Sequence, residues 1–152
     1  MSKKMKTPAR HLIAYTLCIF SLSSVWAQSD FAQVAAKEPG AQVTASGLVF
    51  RSLKDGQGAS PSATDKVKVH YRGTFPDGKE FDSSYKRNQA IEFPLNGVIP
   101  CWTEGVQLMK MGGKAKLTCP PNIAYGSRGA GGVIPPNATL QFEVELIAIA
   151  GK

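Results

Sequence analysis

From Gly47 onward, apolar and polar residues alternate in short runs separated by turn signals. Leu48-Val49-Phe50-Arg51-Ser52-Leu53 reads as a first strand, closed by Asp55-Gly56-Gln57-Gly58. In Lys66-Val67-Lys68-Val69-His70-Tyr71 the period is two, so Val67, Val69 and Tyr71 share one face and Lys66, Lys68 and His70 the other. Pro76-Asp77-Gly78 is a turn, after which Lys79-Glu80-Phe81-Asp82 resumes extended. Ile91, Phe93 and Leu95 alternate again. Ala115, Leu117 and Cys119 oppose Lys114, Lys116 and Thr118, and Leu140 to Leu146 is the clearest half-buried strand. A Gly- and Pro-rich loop, Pro120 to Ala138, separates those last two strands.

One stretch breaks the alternation. Val98-Ile99-Pro100-Cys101-Trp102-Thr103-Glu104-Gly105-Val106-Gln107-Leu108-Met109 places a proline where a first helical turn needs no N–H. Trp102, Val106 and Met109 follow at helical spacing on one apolar stripe. A helix of roughly ten residues is too short to stand alone, so it must pack on the strands. Five or six strands with one short helix predict an α+β domain with an antiparallel sheet, one face on the helix and the other in solvent. Trp102 is then buried against the sheet or floors a cavity opening on it.

The N-terminal region has a different character. Lys3, Lys4, Lys6 and Arg10 precede an apolar run from Leu12 to Trp26, ending in Val25-Trp26-Ala27. This predicts a secretory signal peptide over residues 1–27, cleaved after Ala27, and a periplasmic or secreted protein. The alternative is an uncleaved anchor, but Ser21, Ser23 and Ser24 weaken a run already short for a span, so no stable membrane span is expected after processing. Processing removes four of the 18 basic residues and none of the 11 acidic ones, leaving a net charge of +3. That is too mild and too scattered to argue for nucleic acid. Cys18 leaves with the leader, and the remaining Cys101 and Cys119 are candidates for one disulfide in an oxidising compartment. Residues 28–45 read as a flexible or marginally helical lead-in, too short for a dedicated dimerisation domain, and a monomer is expected.

Most catalytic chemistries find little support. His70, the one histidine after processing, points away from the core by strand alternation, as a solvated surface residue would. A Ser-His-Asp or Cys-His arrangement needs it in a cleft. One histidine and two spaced cysteines fall short of a zinc site, so no metal is expected. The glycines from Gly126 to Gly132 run into Val133-Ile134-Pro135-Pro136, which cannot open a phosphate-binding helix. What remains is a concentration of aromatics, Tyr71, Phe81, Trp102, Tyr125 and Phe142, on or beside the apolar face. Asp82 lies among them and needs a donor, for which Arg87 is the nearest candidate.

The strings VHYRG (69–73), DGKEFDSS (77–84), VIPCWTEGVQLM (98–109) and AYGSRGAGGVIPPNATLQFEVEL (124–146) resemble, in order and spacing, the FKBP-type peptidyl-prolyl isomerases. The resemblance covers roughly residues 47–148 and implies an isomerase domain over 46–152, with a strongly bent antiparallel sheet wrapped around one short helix. It implies catalysis of rotation about X–Pro bonds in folding or folded exported polypeptides, with no cofactor and with macrolide inhibitors of the family as further ligands. Carried over by position, the catalytic set is Tyr71, Asp82, Tyr125 and Phe142. Phe81, Arg87, Ile91, Val98, Ile99, Trp102 and Ile134 bind substrate. Trp102 is the floor of the pocket, Tyr71, Phe81 and Phe142 its walls, Val98 and Ile99 its rim, and Ile134 a lid. Arg87 and Tyr71 hold Asp82, while the Tyr125 hydroxyl and the Ile99 N–H face the peptide's carbonyls.

Four departures from the family pattern carry expectations. Ile91 stands where an aromatic is common, which implies a more open wall. Ala130 and Gly131 imply a small, mobile loop, and Leu95-Asn96-Gly97-Val98 is a shortened rim. Cys101 replaces a usual glycine beside Trp102, and Cys119 occupies an inward-facing strand position. A Cys101–Cys119 disulfide tying the helix start to the sheet is expected, against the alternative of two separate buried thiols. Two other functions remain open: a non-catalytic peptide-binding module or holdase, and a secreted factor acting on host proteins.

Overall fold

The structure is a computed structural model and describes residues 23–152. The expected leader lies outside the described residues as far as position 22. The elements are α1 (Ser23–Ala36), β1 (Ala41–Val43), β2 (Val49–Lys54), β3 (Lys66–Thr74), β4 (Glu80–Ser83), β5 (Ile91–Pro94), α2 (Pro100–Gln107), β6 (Lys114–Cys119) and β7 (Leu140–Ile149). Single 3₁₀ turns at Leu95–Gly97 and Pro121–Ile123 lead into α2 and out of β6. Among the described residues no helix is long and apolar enough to cross a membrane.

The seven strands form one antiparallel sheet in the order β1-β2-β6-β7-β3-β4, with β5 also on β3. β3 pairs with β7 along its length. Its other edge is shared, Lys66–Val69 facing β5 and Arg72–Thr74 facing β4. Register shifts at Ser52/Lys54, Lys68/Val69 and Gly73/Thr74 break the ladders, and such irregularities bend and twist a sheet. The fold is therefore α+β with a curled sheet around α2.

Alternation sets the core. Val67, Val69 and Tyr71 of β3, Ala115, Leu117 and Cys119 of β6, and Leu140, Phe142, Val144 and Leu146 of β7 are all buried on the concave face. α2 closes that face with Cys101, Trp102 and Val106, and Met109 follows just beyond its end. Each large aliphatic side chain so buried contributes about 1.5–3 kcal/mol. Pro100 opens α2, and the Thr103 hydroxyl donates to the Leu95 carbonyl at 2.7 Å, fixing the helix to the preceding turn. Cys101 and Cys119 are disulfide-bonded, with Cα atoms 5.8 Å apart, so the helix start is tied covalently to β6.

Three features differ from the sequence expectation. Residues 28–45, read as a flexible or marginally helical lead-in, contain the C-terminal part of α1, in keeping with the helical alternative, and also the three-residue β1, an added strand beside β2. A three-residue edge strand is too short to show alternation. The convex face is also not all solvated: α1 packs against β1, β2 and β6, and Ala35, Val49 and Thr118 are buried there. Glu38, just past α1, accepts from Arg51 and Lys116, both at 2.6 Å, pinning this segment across β2 and β6. His70, finally, is half-buried, because Tyr85 stacks on it with ring centroids 4.8 Å apart and Ser84 Oγ lies 2.8 Å from Nδ1.

Candidate active site

The curled sheet and α2 leave an open cavity of about 370 Å³. Its floor is Trp102, only 5% exposed because the first turn of α2 sets it over Tyr71 of β3 and Phe142 of β7. Tyr71 and Phe142 meet the indole edge-on at 5.2 Å, and Phe93 tilts against it at 5.5 Å. Phe81 continues the wall edge-on to Phe142 at 5.6 Å. Edge-to-face packing satisfies the ring quadrupoles and fixes each ring against its neighbour. Gly73, opposite Phe142 in the ladder, makes this closure possible: a Cβ there would sit 2.5 Å from Phe81 and 3.1 Å from Phe142.

One edge of the cavity is polar. Tyr71 donates its hydroxyl to Asp82 Oδ2, and Arg87 donates to Asp82 Oδ1 at 2.5 Å and to the Tyr71 oxygen at 3.1 Å. The Ser83 N–H adds a 2.8 Å bond to Oδ1. Burial pushes the Asp82 carboxyl up, but the Tyr71 and Arg87 donors outweigh it and hold it below the usual carboxylate range. Burial, reinforced by the Asp82 acceptor, pushes the Tyr71 phenol up. The backbone of Tyr71 is itself held, since its N–H donates to Ser84 Oγ at 2.8 Å and its carbonyl accepts from the Ser84 N–H at 3.0 Å.

Two donors on residues that line the cavity have no partner among the described residues: the Tyr125 hydroxyl and the Ile99 backbone N–H. Ile99 is the residue that caps α2, so its carbonyl is spent on the Trp102 and Thr103 amides while its own N–H lies outside the helix. Burial and the nearby Asp82 charge push the Tyr125 phenol up, so it remains a donor at neutral pH. The Trp102 indole N–H is buried and also without a partner among the described residues. The described residues contain no cluster of side chains able to hold a metal.

The family model described as FKBP-type peptidyl-prolyl cis-trans isomerase matches residues 57–147. The chain belongs to this family. It is 54% identical over 114 residues to the FKBP-type 22 kDa peptidyl-prolyl cis-trans isomerase of Escherichia coli K12, covering 75% of this chain and 55% of that relative. It is likewise 54% identical over 120 residues to FkpA of Aeromonas hydrophila, covering 79% and 44%. The chain thus spans about half the length of these curated relatives. Among solved structures, FkpA from Escherichia coli superposes with a TM-score of 0.78 at 47% identity, covering 80% of this chain and 57% of that one. An isomerase from Pseudomonas syringae gives 0.76 at 40% identity, covering 82% and 92%.

Of the residues singled out from the FKBP-type pattern, Tyr71, Phe81, Asp82, Ile91, Val98, Ile99, Trp102, Tyr125 and Phe142 converge on this one cavity. Two do not line it. Arg87 stands behind Asp82, gripping its carboxylate, and its own proton is held more tightly as a result. Ile134, expected as a lid, is buried in the wall of a neighbouring hollow instead, because the loop folds back on itself. That loop is closed at its tip, where Ala130 and Ile134 exchange backbone hydrogen bonds of 2.9 and 3.0 Å across Gly131-Gly132-Val133. Gly97 of the shortened rim also lines the cavity, as do Phe93 and Glu92, which the sequence pattern does not mark as site residues. Phe93 was within reach, since it alternates with Ile91 on β5 and brings an aromatic ring to the wall two residues further on. Gly73 and Ser84 act through packing and backbone contacts that carry no signal along the chain.

Proposed function

We propose that this chain is a peptidyl-prolyl cis–trans isomerase acting on proline-containing segments of exported polypeptides, in the periplasm or outside the cell. The observation that carries the reading is the open cavity floored by Trp102 and walled by Tyr71, Phe81, Phe93 and Phe142, lined by donors without a partner among the described residues. The export location rests on the N-terminal basic and apolar pattern and on two cysteines joined as a disulfide.

Rotation about an X–Pro bond crosses a barrier of about 18–20 kcal/mol set by amide resonance. No bond breaks, so no nucleophile is required; it suffices to bind the twisted amide better than the planar one. A twisted amide has lost resonance and with it part of the charge separation between oxygen and nitrogen. Taking it out of water into an aromatic cavity therefore costs less than taking in the planar form. Each tenfold in rate needs about 1.4 kcal/mol of that preference.

Trp102 receives the proline ring against its face. The Tyr125 hydroxyl and the Ile99 N–H donate to the carbonyls that flank the proline and hold the peptide in a turn. Asp82, kept ionised by Arg87 and Tyr71, presents a negative edge to the rotating amide. Phe142 and Phe81 exclude water. Macrolide inhibitors of the family are expected to compete for the same floor.

The test is an X–Pro isomerisation assay on the purified protein with and without such an inhibitor. Catalysis abolished by the inhibitor supports the reading. Folded protein that binds proline peptides without turnover supports a binding module instead.

A further inference from the structure

Beside the cavity lies a second hollow of about 580 Å³, between the Pro76-Asp77-Gly78 turn and the loop over residues 126–136. Phe81 joins the two. It walls the cavity against Phe142 at 5.6 Å and packs on its other side against Phe75 at 4.9 Å, and Phe75 lines the hollow. The step from one space to the other is two ring contacts, within reach of about three extended residues.

The hollow is preformed. The Ala130–Ile134 hydrogen bonds close the loop tip, and Gly129, at φ +64°, lets it fold so tightly that a Cβ there would lie 2.1 Å from the Ile134 carbonyl oxygen. Its surface is apolar at Phe75, Val133 and Ile134, and Val133 is 56% exposed. Its rim is charged. Lys79 and Arg128 stand on it and form no ion pair among the described residues. Asp77 is also on the rim, with one oxygen accepting the Lys79 backbone N–H at 2.9 Å to cap the turn. Two cations against one carboxylate leave an uncompensated positive charge over an apolar floor.

We infer that this hollow is a second subsite for the same polypeptide whose proline sits over Trp102, and that it selects an Asp or Glu side chain flanking that proline. The inference deepens the isomerase reading and rests on it. A carboxylate entering past Phe81 meets Lys79 and Arg128, its methylenes cover Phe75 and Val133, and a lysine at the same position meets like charge. The pairs are solvent-exposed, so the preference is modest and salt-sensitive.

The experiment is a peptide series sharing one X–Pro core, with Glu, Gln or Lys moved stepwise along either flank. The kcat/KM of each is measured on the unmodified protein and on the Lys79→Gln/Arg128→Gln double variant. The Glu-to-Gln ratio is the readout, so a general loss of activity in the variant cancels. The expected result is a ratio of about two to five on one flank, carried by KM, reversed for Lys, and reduced to one in the double variant and at high salt. Equal kcat/KM for Glu, Gln and Lys at every position, with the core peptide still turned over, overturns the subsite and leaves the isomerase reading standing. A ratio that survives in the double variant overturns its assignment to this hollow. No turnover of any peptide by the unmodified protein overturns both readings.

Discussion

The hydroxyl of Tyr71 donates to the carboxylate of Asp82, and Arg87 bridges the two, 3.1 Å from the phenol oxygen and 2.5 Å from the carboxylate. Tyr71 comes from the middle of β3 and Asp82 from β4, so the pair exists only because the two strands are adjacent. Its consequence is a carboxylate fixed at the cavity edge in its ionised form.

Replacing Asp82 with Asn keeps the size but removes the charge, and Tyr71→Phe removes the donor. A hydrogen bond to a charged group is worth about 1.5–3 kcal/mol. To the extent that the fixed charge acts in the transition state, either change lowers kcat/KM by about tenfold to a hundredfold. Steady-state isomerisation kinetics check this; turnover unchanged in both variants removes the pair from the mechanism.

The same carboxylate gives a pH signature in stability. Burial raises its pKa, but the Tyr71 and Arg87 donors lower it by more, for a net value below the ordinary 3.8. A carboxyl depressed on folding contributes stability that is present above its unfolded value and lost as pH falls through its folded one. The stability difference between the unmodified protein and Asp82→Asn is therefore expected to hold constant at neutral pH and shrink below 3.8. Denaturant titrations on both proteins across that range measure it, and a difference that grows on acidification contradicts the assigned direction.

Reduction of the Cys101–Cys119 bond opens a loop spanning a sequence separation of 18. In the chain-entropy account this costs about 3 kcal/mol. Urea unfolding with and without a thiol reductant, and of the Cys101→Ala/Cys119→Ala variant, reads the loss. Because the bond anchors the start of α2, the residue that follows it, Trp102, is expected to lose fluorescence anisotropy on reduction.

Gly73→Ala places a methyl group 2.5 Å from Phe81 and 3.1 Å from Phe142. Overpacking of this kind costs about 1–3 kcal/mol. Phe81, half-buried, is the ring able to give way, so kcat/KM is expected to fall by more than the change in melting temperature explains. A structure of the variant with Phe81 unmoved is the outcome that excludes this route.

Much of this was legible along the chain. Alternation in β3, β6 and β7 assigned the inward face, and Pro100 with the Trp102/Val106 spacing located α2. The residues that escaped did so for physical reasons. β1 is only three residues long and holds its place by pairing with β2, which no local pattern encodes. The family resemblance implies a lid at Ile134, but its backbone bonds to Ala130 turn it into the neighbouring wall. His70 was assigned to solvent by alternation, which is silent about Tyr85 arriving from the β4–β5 connection to stack on it. The site's walls come from alternating strands and were readable; its supports, Gly73 and Ser84, depend on what lies across the sheet.

The proposed isomerase places X–Pro rotation in the Trp102 cavity. Its most direct test is the isomerisation rate of a proline peptide measured on the purified protein and on Trp102→Leu, with circular dichroism confirming that both are folded. Catalysis by the unmodified protein, with kcat/KM sharply reduced in the folded variant, is the expected result. Folded, unmodified protein that leaves the isomerisation rate at its uncatalysed value contradicts the account.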